Sequence, residues 1–186
     1  IPLPLLCAMR VFLIGFMCSG KSRIGRELAQ RMGLRHIDID RVIEQRIGPI
    51  TPWFQKNGEA AFRELEKKVL AELLTTERAV ISTGGGTPIE GDNMKRMLAA
   101  GTVVYLDVPF DELLPRVEQK GGDRPLLFGL KGEVLRTRVE EMLSSRLPFY
   151  ELAHMRVRAS GEPHVIAERI QQGLEGEAPR ISAQER

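Results

Sequence analysis

The sequence predicts an α/β domain in which about five parallel strands form one sheet with helices on both faces. Three observations carry that prediction. Short β-rich runs alternate along the chain with longer stretches of helical period. The runs VFLI and VVYL are apolar without alternation, as strands covered on both faces must be. The first run also passes directly into a helical stretch through a glycine-bearing turn, which is how a βαβ unit begins.

In chain order, strands are expected over residues 11–14, 34–38, 79–83, 102–107 and 155–157. The second is the weakest run; it is placed because it lies between two helical segments and leads into an Asp-x-Asp pair. Helices are expected over 21–32, 41–46, 59–74, 92–100, 110–119, 132–146 and 163–173. In the third, Ala61, Leu65, Val69 and Leu73 form one apolar stripe. Residues 10–172 read as a single domain, with residues 1–9 as a tail, Met9 as the natural start, and 173–186 as a disordered tail of low apolar content.

Composition narrows the function. The chain has 186 residues, 27 Lys and Arg against 25 Asp and Glu, and 42% hydrophobic residues, which describes one soluble domain. A net charge of +2 leaves no broad nucleic-acid footprint, so no nucleic-acid partner is expected. The apolar start is too short to cross a bilayer, so no membrane partner is expected either. Of the two cysteines, Cys7 lies in the tail and Cys18 in a glycine-rich loop, which argues for unpaired thiols and a cytoplasmic setting. His36, His154 and His164 have no metal-ligand spacing.

The segment Gly15-Phe-Met-Cys-Ser-Gly20-Lys21-Ser22 fits the phosphate-loop pattern G-x-x-x-x-G-K-[ST], between a strand and a helix as that pattern requires. Its backbone N–H groups cradle phosphate oxygens, the helix adds its positive end, Lys21 reaches the outer phosphates and the Ser22 hydroxyl holds Mg²⁺. The fold class is therefore read as the three-layer P-loop kinase fold. Asp38-Ile39-Asp40 closes the second strand, where period-two alternation puts both carboxylates on one side, one for the waters of Mg²⁺ and one for an attacking hydroxyl. The plainer reading makes Asp40 the N-cap of the next helix. Gly84-Gly85-Gly86 allows close approach of backbone to a ligand, and Arg63 and Arg146 sit beside apolar residues fit to wall a pocket. A glycine-rich basic stretch, about residues 116–132, reads as a mobile lid that brings Arg124 onto the transferring phosphoryl group.

Taken in order and spacing, GFMCSGKSRIGRELA, HIDIDRVIE, WFQKNGEAAFRELE, STGGGTP, DRPLL and SRLPFYELA resemble the shikimate kinase family over roughly residues 10–170. The resemblance implies transfer of the ATP γ-phosphoryl to the 3-hydroxyl of shikimate, a step of chorismate and aromatic amino-acid synthesis. It implies Asp40, Lys21 and Arg124 as catalytic residues, and Cys18, Ser19, Gly20, Lys21, Ser22, Arg23, Arg116 and Arg124 around ATP. Ser22 would hold Mg²⁺ directly and Asp38 through water. Arg63 and Arg146 would clamp the shikimate carboxylate, with Asp40, Gly84, Gly85, Gly86, Phe54, Phe62 and Glu66 completing that pocket. Residues 160–163 would form the second adenine wall, opposite Arg116, and a monomer is expected.

Two positions depart from the family pattern: Cys18 stands where Gly is usual, and Arg23 where Thr is usual. If residue 18 is left-handed, its Cβ costs about 1–2 kcal/mol and nucleotide affinity should suffer, though activity is expected to survive. The rival readings are another phosphate-loop small-molecule kinase, of the gluconate or nucleoside-monophosphate type, and a catalytically weak ATP-dependent regulatory module. A guanine-selecting N-K-x-D segment, which a nucleotide switch would need, does not occur.

Overall fold

A computed structural model describes residues 9–120 and 124–176 of the chain. The expected tail over 1–8, the C-terminal stretch 177–186 and positions 121–123 of the lid segment lie outside the described residues. The elements are β1 (Arg10–Ile14), α1 (Lys21–Met32), β2 (Arg35–Asp38), α2 (Ile39–Ile47), α3 (Ile50–Leu73), β3 (Ala79–Ser82), α4 (Asn93–Ala100), β4 (Thr102–Asp107), α5 (Phe110–Lys120), α6 (Gly132–Tyr150), β5 (Met155–Arg158) and α7 (Pro163–Gly176). Single 3₁₀ turns occupy Thr87–Ile89 and Pro125–Leu127.

All five strands are parallel, in the order β2-β3-β1-β4-β5. The apolar runs of β1, β3 and β4 form the centre of the core, with Phe12, Val80 and Val103 fully buried. Helix α1 packs against α7, α2 against α3, and α5 against α6. Register decides where function can sit. Leu13 and Asp38 both pair with Ser82, so the loops leaving β1, β2 and β3 emerge at one level on the carboxyl edge. Side chains at the end of β3 and just after it reinforce that edge: Ser82 Oγ donates to the Lys21 carbonyl at 3.0 Å, and Thr83 Oγ1 to the Leu13 carbonyl at 3.1 Å.

Several boundaries differ from the sequence reading. Helix α3 starts at Ile50 rather than residue 59 and bends at Gly58, whose φ of 83° no ordinary helical residue adopts. Pro52 is tolerated because it lies in the first turn, where N–H groups have no intrahelical acceptor. Helix α6 runs through Pro148 to Tyr150, closed by the Glu151 N–H donating to the Leu147 carbonyl at 3.0 Å. Helix α7 continues to Gly176, so residues 173–176 are helical rather than disordered. The buried stripe of α3 is Phe62, Glu66, Val69 and Leu70, one position round from the expected one, and Ala61 is exposed. The helix is turned so that Phe62 and Glu66 face a cavity. Helix α2 begins at Ile39, so Asp38 is its N-cap, accepting from the Asp40 N–H at 3.1 Å. The strand alternation expected to align the two acids, and the alternative of Asp40 as N-cap, are both corrected by that helix start.

Helix α1 approaches β2 and β3 closely at Gly25. A Cβ there would stand 2.6 Å from Ser82 Oγ and 2.8 Å from His36 Nε2, groups themselves joined at 3.0 Å. Alanine at a helix interior gains about 1 kcal/mol over glycine, but overpacking costs about 1–3 kcal/mol. Gly25→Ala should therefore lower the urea midpoint; a rise would show that α1 is not pressed against this edge.

Candidate active site

Two adjoining cavities open on the carboxyl edge. The larger, about 510 Å³, is of the size of small-molecule sites and is lined by the loop after β1, the acids after β2 and residues after β5. The smaller, about 70 Å³, lies between the glycine triplet, α3 and the start of the 3₁₀ turn at Pro125.

The loop from β1 to α1 wraps around Lys21. This side chain is buried, and its Nζ donates to the carbonyls of Gly15 at 2.8 Å and Phe16 at 2.7 Å and to Ser19 Oγ at 3.3 Å. Burial pulls the ammonium from 10.5 down to about 8, against the opposing pull of Asp40. Cys18 is left-handed, with φ 61°, so the conformational condition raised by the sequence holds. Gly20, Ser22 and Arg23 line the same cavity as Cys18 and Ser19, with Arg23 exposed on the first turn of α1.

The Ser22 hydroxyl donates to the Asp38 carboxylate, and Asp40 lies two positions beyond the cap, as the second residue of α2. Hydroxyl and carboxylate oxygens are the hard donors Mg²⁺ prefers. Among the described residues no three carboxylates, histidines or thiols gather into a metal cage.

The smaller cavity is built around positive charge. Arg146 is 4% exposed, packs its guanidinium over the Phe16 ring at 5.2 Å, and leaves Nη1 buried without a hydrogen-bond partner. Arg63 pairs with Glu66, with Glu59 at 3.0 Å and with Glu90 at 3.5 Å. Burial lowers the Arg63 guanidinium, and Glu66 and Glu59 more than reverse it; burial raises the Glu66 carboxyl, with Arg63 opposing. Thr87 Oγ1 donates to Glu66 at 3.0 Å. Phe54 and Phe62, ring centroids 5.5 Å apart, complete the wall.

Each glycine of the triplet clears a different charged side chain. A Cβ at residue 84 would meet Glu66 Oε1 at 2.5 Å, at 85 Arg146 Nη1 at 3.2 Å, and at 86 Arg63 Nη1 at 2.7 Å. A plain turn has no such need.

Met17, Asp40, Gly85 and Arg124 line both cavities, and Arg124 Nη1 donates to Asp40 Oδ2 at 3.3 Å. A phosphoryl group crossing from one cavity to the other would pass between these side chains. Arg116 lines the larger cavity with Gly161, Glu162 and Pro163, and is itself paired with Glu112 at 3.3 Å. Sequence reasoning missed Met17, Thr83, Lys120, Ile50 and Leu126 as lining residues. Thr83 stood beside the triplet and could have been found; Ile50 belonged to the unrecognised start of α3.

A family model described as shikimate kinase matches residues 17–175. The shikimate kinase of Parabacteroides distasonis is 47% identical over 145 residues, covering 77% of this chain and 84% of its own. That of Gloeobacter violaceus is 42% identical over 168 residues, covering 88% and 91%. Among solved structures, shikimate kinase from Acinetobacter baumannii in complex with shikimate superposes with a TM-score of 0.87 at 32% identity, covering 95% of this chain and 98% of that one. Shikimate kinase from Bacteroides thetaiotaomicron gives 0.83 at 36%, covering 90% and 98%.

Lys21 sets a pH limit. Its pKa is depressed in the folded chain, so between about pH 8 and 10.5 the unfolded chain holds a proton the folded one has released. Its contribution to stability therefore rises with pH across that window, while the free enzyme loses a charge that the sequence reading assigns to polyphosphate. kcat/KM for ATP should fall above about pH 8, approaching tenfold per unit, while the corresponding limb of kcat lies at higher pH because bound phosphate favours the ammonium. A flat kcat/KM from pH 7 to 10 would remove Lys21 from the phosphate contacts.

Proposed function

This chain belongs to the shikimate kinase family, and we propose that its larger cavity takes ATP, its smaller one shikimate, and that the phosphoryl group crosses between Asp40 and Arg124. The enzyme is an ATP-dependent kinase of aromatic amino-acid biosynthesis. The assignment of the cavities is carried by Arg146: a buried guanidinium with a free N–H, facing a small pocket, is matched by a carboxylate on a small acceptor.

In this reading the N–H groups of residues 18–22 and Lys21 hold the phosphates. Arg116 and residues 161–163 flank the adenine. Ser22 and, through water, Asp38 hold Mg²⁺, which when bound neutralises charge building on the phosphate oxygens. Arg146 and Arg63 orient the shikimate carboxylate, Glu66 fixes Arg63, and Phe54 and Phe62 pack against the ring. Asp40 then faces the 3-hydroxyl and takes its proton as oxygen attacks the γ-phosphorus, while Arg124 turns from Asp40 to the transferring group. Nucleotide and acceptor cavities both come from one chain, which supports a working monomer. No helix among the described residues is long and apolar enough to cross a membrane.

ADP release measured with Mg²⁺-ATP and shikimate, quinate or gluconate tests the reading; release with gluconate alone would discard the acceptor pocket. The roles separate by kinetics. Asp40→Asn should lower kcat by about 10²–10⁴-fold with KM for shikimate little changed. Arg146→Ala should raise that KM by about 30-fold or more, since truncating one partner of a buried charge pair costs about 2–5 kcal/mol. Intact turnover in Asp40→Asn would refute the base assignment.

A further inference from the structure

Tyr150 lines neither cavity, yet it is tied to the wall of the smaller one. It is fully buried, and its hydroxyl donates to the Gly85 carbonyl at 2.6 Å. Its ring packs on Tyr105 with centroids 5.2 Å apart. Burial pushes the phenol up to about 12, with Arg146 opposing, so the hydroxyl keeps its proton and remains a donor.

The bond matters because of where Gly85 lies. A Cβ on this residue would stand 3.1 Å from the Met17 nitrogen, 3.2 Å from Arg146 Nη1 and 3.5 Å from the Gly15 carbonyl oxygen. The Gly85 peptide is thus wedged between the phosphate loop and the buried guanidinium. Arg146 and Tyr150 are four residues apart in α6, one turn along the same face. The side chain that presents the guanidinium and the one that grips the facing peptide therefore share one rigid support. That support survives Pro148, which would otherwise end the helix between them.

We propose that Tyr150 is a positioning residue for the acceptor: by holding the Gly85 carbonyl it fixes the distance between the glycine triplet and Arg146, and so the room for the acceptor's carboxylate. This rests on the acceptor reading of the smaller cavity. The hydrogen bonds of Lys21 and Asp40 include neither Tyr150 nor the Gly85 carbonyl, so the larger effect is expected on acceptor binding rather than on the chemical step.

Tyr150→Phe removes the hydroxyl, and with it the bond to the Gly85 carbonyl and its polar contact with the Arg146 guanidinium. KM for shikimate should rise about five- to tenfold, the worth of one neutral hydrogen bond, while kcat and KM for ATP stay within about twofold. Tyr105→Phe is the control: it removes a neighbouring phenol hydroxyl bonded to Asp107 at 3.3 Å and should leave all three parameters unchanged. An unchanged shikimate KM in Tyr150→Phe overturns the proposal. So does a parallel loss in all three parameters with a lowered Tm, which a purely structural role would give.

A second measurement does not require that variant to fold. The chain has two tyrosines, so Tyr105→Phe labelled with 3-fluorotyrosine carries its single fluorine at position 150. Saturating shikimate should shift that ¹⁹F resonance, and an unmoved signal overturns the proposal. Wild-type protein is assayed first: if it releases no ADP with shikimate, the acceptor reading fails and the proposal falls with it. If it does, the variants judge Tyr150 alone.

Discussion

A charge removed from water must be met by an opposite charge or by well-aimed dipoles, or it costs several kcal/mol. This constraint governs the carboxyl edge of the sheet, where Lys21, Arg63, Arg124 and Arg146 converge. Lys21 is met by two loop carbonyls and the nearby Asp40. Arg63 has Glu66, Glu59 and Glu90, and Arg124 has Asp40. Arg63 and Arg146 each lie over a ring, of Phe62 and Phe16, but Arg146 also keeps a buried N–H without a hydrogen-bond partner. The surrounding structure follows: glycines where side chains would collide with these groups, a buried glutamate to hold one arginine, and an aromatic wall that keeps water off another. Under the proposed assignment an anionic acceptor would meet that N–H.

The same reasoning links the two cavities. Asp40 and Arg124 line both, and while they pair, the carboxylate occupies the guanidinium. Under the proposed assignment, phosphate oxygens entering the larger cavity would compete with Asp40 for Arg124, an exchange that would free the carboxylate for the acceptor hydroxyl. Because this pair is partly exposed, its energy is modest and the exchange is easily made.

How much of this was legible in the sequence depends on whether the signal was local. The five strands, the phosphate loop and most helix cores were legible because their periods and turn residues are properties of adjacent positions. The start of α3 was not: ITPWFQKN carries a proline and is followed by a bend at Gly58, and it is helical because the first turn tolerates Pro52 and tertiary packing holds the rest. The end of α6 was hidden by Pro148 for the same reason. The stripe on α3 was misplaced because Glu66, a charged residue, is buried, and periodicity counts only apolar positions. Family resemblance supplied Arg63, Glu66 and Arg146 as a set. The three acids around Arg63 and the grip of Tyr150 on Gly85 depend on contacts across the fold, which spacing does not encode.

Cys18 shows how a pattern that leaves a position free in sequence still fixes it in conformation. Its left-handed backbone carries about 1–2 kcal/mol of strain, a noticeable share of the roughly 5–15 kcal/mol that holds a domain together. Contacts within the loop impose the turn: the Ser19 N–H reaches the Phe16 carbonyl at 3.3 Å, and Lys21 spans the carbonyls of Gly15 and Phe16. A turn set by the loop's own contacts carries its strain in the folded chain itself, so the cost falls on stability.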